Sequence, residues 1–179
     1  MLRNYNDWQC YIIAEIGGNF REFHEAKKMI DLAIDCGVDA VKLQTYRADT
    51  IVTKTARFDL DNIGNIPQYK LFEKYQIDFD LHKEIFNYIE SKGLDWFSTP
   101  SHQTDVDMLE ELGVRAYKLG ADDATNLPLI RYTASKNKTI LLSSGYCTLH
   151  EVREMVNACL EGGNDKIILF HTVSKDRKS

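Results

Sequence analysis

Proline is scarce, three in 179 residues, and no tract is biased toward one residue type, which argues against long linkers or disorder. No apolar run approaches the ~20 residues needed to cross a bilayer, so no membrane partner is expected. The opening Met1-Leu2-Arg3-Asn4-Tyr5 lacks the apolar stretch of a secretory leader, and a cytoplasmic address is the expectation. An excess of basic residues is also missing: 22 Lys and Arg against 27 Asp and Glu leave a net charge of −5. Nucleic acid is therefore not an expected partner, although a few lysines in a cleft can still attract a small anion. The four cysteines, Cys10, Cys36, Cys147 and Cys159, form no C-x-x-C pair and have no histidine at zinc-ligand spacing. They read as structural thiols in a reducing compartment.

What is present is one core's worth of apolar residues, 44% of the chain, and a weak internal repeat. An amphipathic stretch ends at a glycine, a short spacer follows, and an apolar run comes next. Asp35-Cys36-Gly37-Val38-Asp39 leads into Ala40-Val41-Lys42-Leu43, and Ser91-Lys92-Gly93-Leu94-Asp95 into Trp96-Phe97-Ser98-Thr99. Glu111-Leu112-Gly113-Val114-Arg115 leads into Ala116-Tyr117-Lys118-Leu119, and Glu161-Gly162-Gly163-Asn164-Asp165 into Lys166-Ile167-Ile168-Leu169-Phe170. Glycine past a helix end takes the left-handed conformation cheaply. A short apolar run after it reads as a strand buried on both faces, as in parallel sheets. Residues 10–16 and 139–142 supply two more strands.

Apolar residues at helical spacing fill the gaps: Ala26, Met29, Ile30 and Ala33; Leu81, Ile85, Tyr88 and Ile89; Met108, Leu109 and Leu112; Leu129, Ile130 and Thr133; Val152, Met155, Val156 and Cys159. Asn126 before Leu127-Pro128, and Thr148 with Glu151 three residues on, are expected N-caps. Strict βα alternation implies parallel strands with helices outside. A doubly wound sheet would carry G-x-G-x-x-G after its first strand, whereas this turn reads Gly17-Gly18-Asn19-Phe20-Arg21. The expected fold class is α/β of the (β/α)₈ TIM-barrel type with about six βα units. A polar insertion over 47–80 falls after strand 2, where barrels carry active-site loops.

In a barrel, function collects at the carboxyl ends of strands. Those positions hold Glu15, Lys42, Gln44, Thr99, Lys118, Ser143, Ser144 and His171. Lysines within apolar strands are the unusual feature, because a buried ammonium needs a partner. Either each pairs with a nearby carboxylate (Glu15, Asp122 or Asp123) or they gather an anionic ligand. Ser143-Ser144-Gly145 is a small, hydroxyl-bearing turn that a phosphate could approach. His171 is expected as a hydrogen-bonded histidine at the core's edge, and His24, His82, His102 and His150 as surface residues of helices or their starts.

The same residues form an ordered set of motifs. Ile12-Ile13-Ala14-Glu15-Ile16-Gly17-Gly18-Asn19 resembles A-E-I-G-x-N, and Val41-Lys42-Leu43-Gln44-Thr45 resembles V-K-F-Q-T. Phe97-Ser98-Thr99-Pro100 matches F-S-T-P, Tyr117 to Pro128 follows Y-K-[IL]-[GA]-S-x-[ED]-x-x-N-x-P, and Leu142-Ser143-Ser144-Gly145 matches L-S-T-G. Together they resemble the sialic acid synthase family across nearly the whole chain. The resemblance implies that C3 of phosphoenolpyruvate attacks the aldehyde of an open-chain N-acetylated amino sugar such as N-acetylmannosamine. Water then adds at C2 and phosphate leaves. By matching position, Lys42, Lys118, Thr99 and Ser143 hold phosphoenolpyruvate, Ser144 lines the same turn, and Glu15 sits near the reacting carbons. Gln44 and Asp123 face the sugar. A divalent metal, manganese or alternatively magnesium, polarises the aldehyde as a Lewis acid, and a homodimer is implied.

The chain departs from the family at Asn19-Phe20-Arg21-Glu22 (family N-H-N-G), at Ala121 (family serine) and at His171-Thr172-Val173-Ser174 (family H-C-x-[SN]). The family's metal-binding histidines, its last barrel units and its antifreeze-like domain would all lie beyond Ser179. The alternative to a synthase, or a fragment of one, is therefore a catalytically silent barrel remnant that binds a ligand or a partner. The polar Lys175-Asp176-Arg177-Lys178-Ser179 reads as a frayed end.

Overall fold

The computed structural model describes residues 10–60 and 64–173; the polar 175–179 end lies outside them. Two compact units meet within one strand, the first ending at Phe97 and the second beginning at Ser98.

The first unit opens with β1 (Ile13–Glu15), α1 (Phe23–Asp35) and β2 (Ala40–Thr45). The expected first strand over 10–16 is thus reduced to three residues. The 47–80 insertion, for which the sequence suggested only a polar loop, contains regular structure: α2 (Ala48–Ile51), a hairpin of β3 (Arg57–Leu60) and β4 (Gly64–Pro67), and α3 (Gln68–Tyr75). Its anchor is aromatic. Phe72 meets Tyr46 edge-on at 5.2 Å and Phe58 at 6.1 Å, and burial pushes the Tyr46 phenol up to about 12. Next come α4 (Phe79–Ser91) and β5 (Asp95–Pro100). Trp96 of β5 stacks on Phe86 of α4 at 3.9 Å, fixing that helix against the strand.

The second unit holds the carboxyl half of β5, then α5 (Gln103–Glu111), β6 (Ala116–Leu119), a 3₁₀ turn (Ala121–Asp123) and α6 (Leu127–Ala134). β7 (Thr139–Ser143), α7 (Leu149–Glu161) and β8 (Ile167–Phe170) complete it. Both expected caps form. The Asn126 side chain accepts from the Leu129 amide, and Thr148 and Glu151 satisfy each other's backbone N–H groups in a capping box. Leu119, Ile130, Ile140, Leu142, Met155 and Cys159 make one buried cluster. Burial pushes the Cys159 thiol up to about 11, as befits a structural rather than a reactive thiol.

The hydrogen-bonded strand order is β1-β2-β5-β6-β7-β8, with the hairpin separate. Every resolved pairing in the larger sheet is parallel. Sequence order with a helix after each of the first five strands of this sheet is the barrel-type α/β arrangement. The four repeat glycines explain its regularity: Gly37, Gly93, Gly113 and Gly163 all have φ between 73° and 83°, closing each helix before the next strand. No helix among the described residues is long and apolar enough to cross a membrane.

Candidate functional site

In the first unit the register pairs Glu15 with Lys42, so both side chains share a face of the sheet. Lys42 Nζ lies 3.3 Å from Glu15 Oε2, with the lysine side chain 4% exposed and the glutamate 51%. The expected pairing of Lys42 with Glu15 is therefore present, and it is lopsided, a buried cation with a half-exposed anion. Gln44, two residues on and on the same face, is exposed. Gly17 lies flat on this strand: a Cβ there would overlap the Gln44 amide nitrogen and come within 2.8 Å of Gln44 Cγ and 2.9 Å of the Leu43 carbonyl carbon. Backbone cannot yield as a side-chain tip can, so Gly17→Ala should cost about 2–3 kcal/mol, read as a lowered urea midpoint. Asn19 closes the turn by donating to the carbonyls of Ile16 and Gly17. Phe20, one of the family departures, is buried.

In the second unit the register Ser98–Tyr117 puts Thr99 beside Lys118, and Lys118–Leu141 puts Ser143 two residues beyond the partner of Lys118. Leu119, Ile140 and Leu142 belong to the core cluster with α6 and α7. Alternation therefore turns Thr99, Lys118, Leu141 and Ser143 to the opposite face. Thr99 Oγ1 and Ser143 Oγ are both buried without a hydrogen-bond partner among the described residues. Two such hydroxyls flanking a lysine are costly as apoprotein, about 1–3 kcal/mol each. That makes the trio a candidate for a ligand's oxygens. Ser144 differs: its hydroxyl donates to the Phe170 carbonyl at 2.8 Å. With Gly145 N–H donating to Thr172 Oγ1 at 2.6 Å, it ties the Ser143 turn to the end of β8.

Asp123 stands in the 3₁₀ turn after β6. Burial, reinforced by the neighbouring Asp122 carboxylate, raises its pKa from the usual 3.8 to about 6. The folded state thus holds this proton more tightly than the unfolded chain. The stability it brings is complete below about pH 4 and is lost as pH rises through 6. Asp123→Asn should remove that loss, stabilising the protein by about 1–2 kcal/mol at pH 8 and little at pH 4, the figure being discounted for partial exposure. Urea unfolding of both forms from pH 4 to 8 measures the difference.

Among the histidines, His24, His102 and His150 are exposed as expected, but His82 is fully buried. The buried face of α4 is His82, Ile85, Phe86 and Ile89, rotated from the expected Leu81, Ile85, Tyr88 and Ile89. The signal was available: His82 stands at helical spacing from three apolar residues. The two orphaned hydroxyls could not be read from sequence, because Ser and Thr at strand ends usually find partners.

Parallel βα units in sequence order, with lysines and hydroxyls at the strand ends, define a barrel-type α/β protein. The chain resembles the N-acetylneuraminic acid (sialic acid) synthetase of Leptospira borgpetersenii, whose structure was solved in complex with citrate, at a TM-score of 0.79 and 25% identity over 92% of this chain and 54% of that one. It belongs to the NeuB family, which it matches over residues 29–176. Relatives include the N,N'-diacetyllegionaminic acid synthase of Campylobacter jejuni, 33% identical over 92% of this chain and 51% of that protein. The pseudaminic acid synthase of the same organism is 28% identical over 97% and 52%. The chain spans about half the length of the curated relatives it matches.

Proposed function

We propose that this chain is part of a nonulosonic acid synthase that condenses phosphoenolpyruvate with an N-acetylated amino sugar and releases phosphate. The observation that carries the reading is the trio of Lys118 and the two buried hydroxyls of Thr99 and Ser143, which have no hydrogen-bond partner among the described residues. One ammonium and two O–H donors suit the tetrahedral oxygens of a phosphate or the oxygens of a carboxylate. In the reaction C3 of phosphoenolpyruvate bonds to the sugar aldehyde carbon, whose oxygen takes up a proton. Water adds at C2, and the C2–O bond to phosphate breaks to leave a 2-keto acid. Lys118, Thr99 and Ser143 hold and orient the anion. The match to the family motifs assigns Lys42 to phosphoenolpyruvate as well, and Glu15, paired with that lysine and half exposed, to taking or giving a proton. The same match assigns Gln44 and Asp123 to the sugar, the latter able to exchange a proton near pH 6.

A divalent metal, manganese or magnesium, would polarise the aldehyde as a Lewis acid. Among the described residues no three or more His, Cys, Asp or Glu side chains cluster as a metal site. These residues do not fit the ion by themselves, and no step assigned to them depends on it.

The complete protein, given phosphoenolpyruvate, manganese and either N-acetylmannosamine or a 2,4-diacetamido sugar, should release phosphate and form a nine-carbon 2-keto acid in equal amounts. Saturable binding of phosphoenolpyruvate without any turnover, across these sugars, would overturn the synthase and leave a ligand-binding barrel.

A further inference from the structure

His82 is a fully buried titratable side chain to which the reaction above gives no part. Its ring bridges two elements. Nδ1 lies 2.7 Å from the backbone carbonyl of Asp78, at the start of α4, and Nε2 lies 3.0 Å from Thr45 Oγ1, at the last residue of β2. A carbonyl oxygen can only accept, so Nδ1 carries the proton. Burial lowers the ring's pKa below its ordinary value, outweighing the backbone groups of Asp78 and Gln44 that favour the charged form, so with Nδ1 protonated the imidazole is neutral and Nε2 accepts from the Thr45 hydroxyl. Phe86 packs against the ring at 5.7 Å. The Asp78 carboxylate is occupied elsewhere, accepting from the Leu81 amide at 2.9 Å. Both ends of the bridge are thereby fixed: Asp78 caps α4, and Thr45 follows Gln44, the exposed residue against which Gly17 is pressed.

We propose that His82 is a positioning residue which, as its Nδ1–H tautomer, clamps the carboxyl end of β2 to the start of α4 and so fixes how Gln44 meets the amino sugar. The inference rests on the reading of β2's end as substrate-facing. It adds a residue, on a helix after the insertion, that acts on specificity through Thr45 rather than by touching substrate.

The test uses variants that divide the two hydrogen bonds. Asparagine at 82 keeps a donor where Nδ1 stood, and glutamine keeps an acceptor where Nε2 stood. His82→Asn and Thr45→Val should each raise KM for the amino sugar by about three- to tenfold, the worth of one neutral hydrogen bond, with kcat changed by less than about twofold. The double variant should be no worse than either single one, and His82→Gln should restore most of the affinity. A folded His82→Asn protein with wild-type KM, or additive losses in the double variant, would overturn the proposal. Loss of KM and kcat in step with thermal stability across all variants would also overturn it, since that is what a merely structural histidine gives. Nitrogen-15 spectra of the imidazole decide the clamp independently of turnover. They should show a protonated Nδ1 and an unprotonated Nε2, with the Gln44 side-chain amide resonances displaced in His82→Asn. A wild-type protein that forms no product would remove the functional reading. Unmoved Gln44 resonances, or an Nε2–H ring, would remove the clamp itself.

Discussion

Replacing Lys118 with methionine should lower phosphate release by about 10²–10³-fold, the usual loss when a preorganised donor to a developing charge is removed. Methionine keeps the apolar stem of the lysine, so the thermal midpoint should stay within about 3 °C. The flanking hydroxyls give a sharper signature. Thr99→Val and Ser143→Ala each delete a buried oxygen that has no partner among the described residues. Each should therefore stabilise the ligand-free protein, by about 1 kcal/mol, while weakening phosphoenolpyruvate binding. Stability gained where affinity is lost marks groups held for a ligand rather than for the fold. Destabilisation by both substitutions would mean that the hydroxyls serve the sheet.

The Glu15–Lys42 pair should respond unequally to its two halves. Glu15→Gln withdraws the carboxylate 3.3 Å from an ammonium whose side chain is only 4% exposed. It should cost about 2 kcal/mol, less than the 3–5 of a wholly buried pair, because Glu15 itself is half in water. Lys42→Met removes the buried charge and leaves a carboxylate that solvent can reach, so its cost should be under about 1 kcal/mol. Activity should rank differently: Lys42→Met loses about 10²-fold in turnover with phosphoenolpyruvate, although it is the better folded of the two. Urea titration and a phosphate-release assay on the same preparations separate the two orders. Equal destabilisation by both substitutions would contradict the lopsided burial.

Much of the architecture was legible because it is written in local rules. The repeat glycines had to adopt positive φ, and they do. Asn126 and Thr148 stand where helix N-termini need acceptors, and both cap. β6 covers the four residues expected, since Ala116 to Leu119 has no competing reading. The failures are equally physical. The 47–80 insertion looked like loop because no single helical or alternating period runs through its apolar residues. Its helices and hairpin are held by the Tyr46–Phe72–Phe58 contacts, and such non-local packing has no periodicity to betray it. His82 was placed at the surface because histidine is usually polar-facing, whereas two hydrogen bonds make it an acceptable core residue. At the candidate site, the sequence put Lys118 and Ser143 at strand ends, and the register of the sheet sets them on one face. Which of Ser143 and Ser144 keeps its hydroxyl available is decided by the Phe170 carbonyl, 26 residues away along the chain.

The most direct measurement is a calorimetric titration of the complete protein with phosphoenolpyruvate, run on wild type and on the Thr99→Val, Ser143→Ala and Lys118→Met variants. The account predicts saturable one-to-one binding, weakened by each hydroxyl substitution and lost with Lys118→Met, while all four proteins remain folded. Unchanged binding in a folded Lys118→Met protein would contradict it, because the anion would then be held somewhere other than the end of β6.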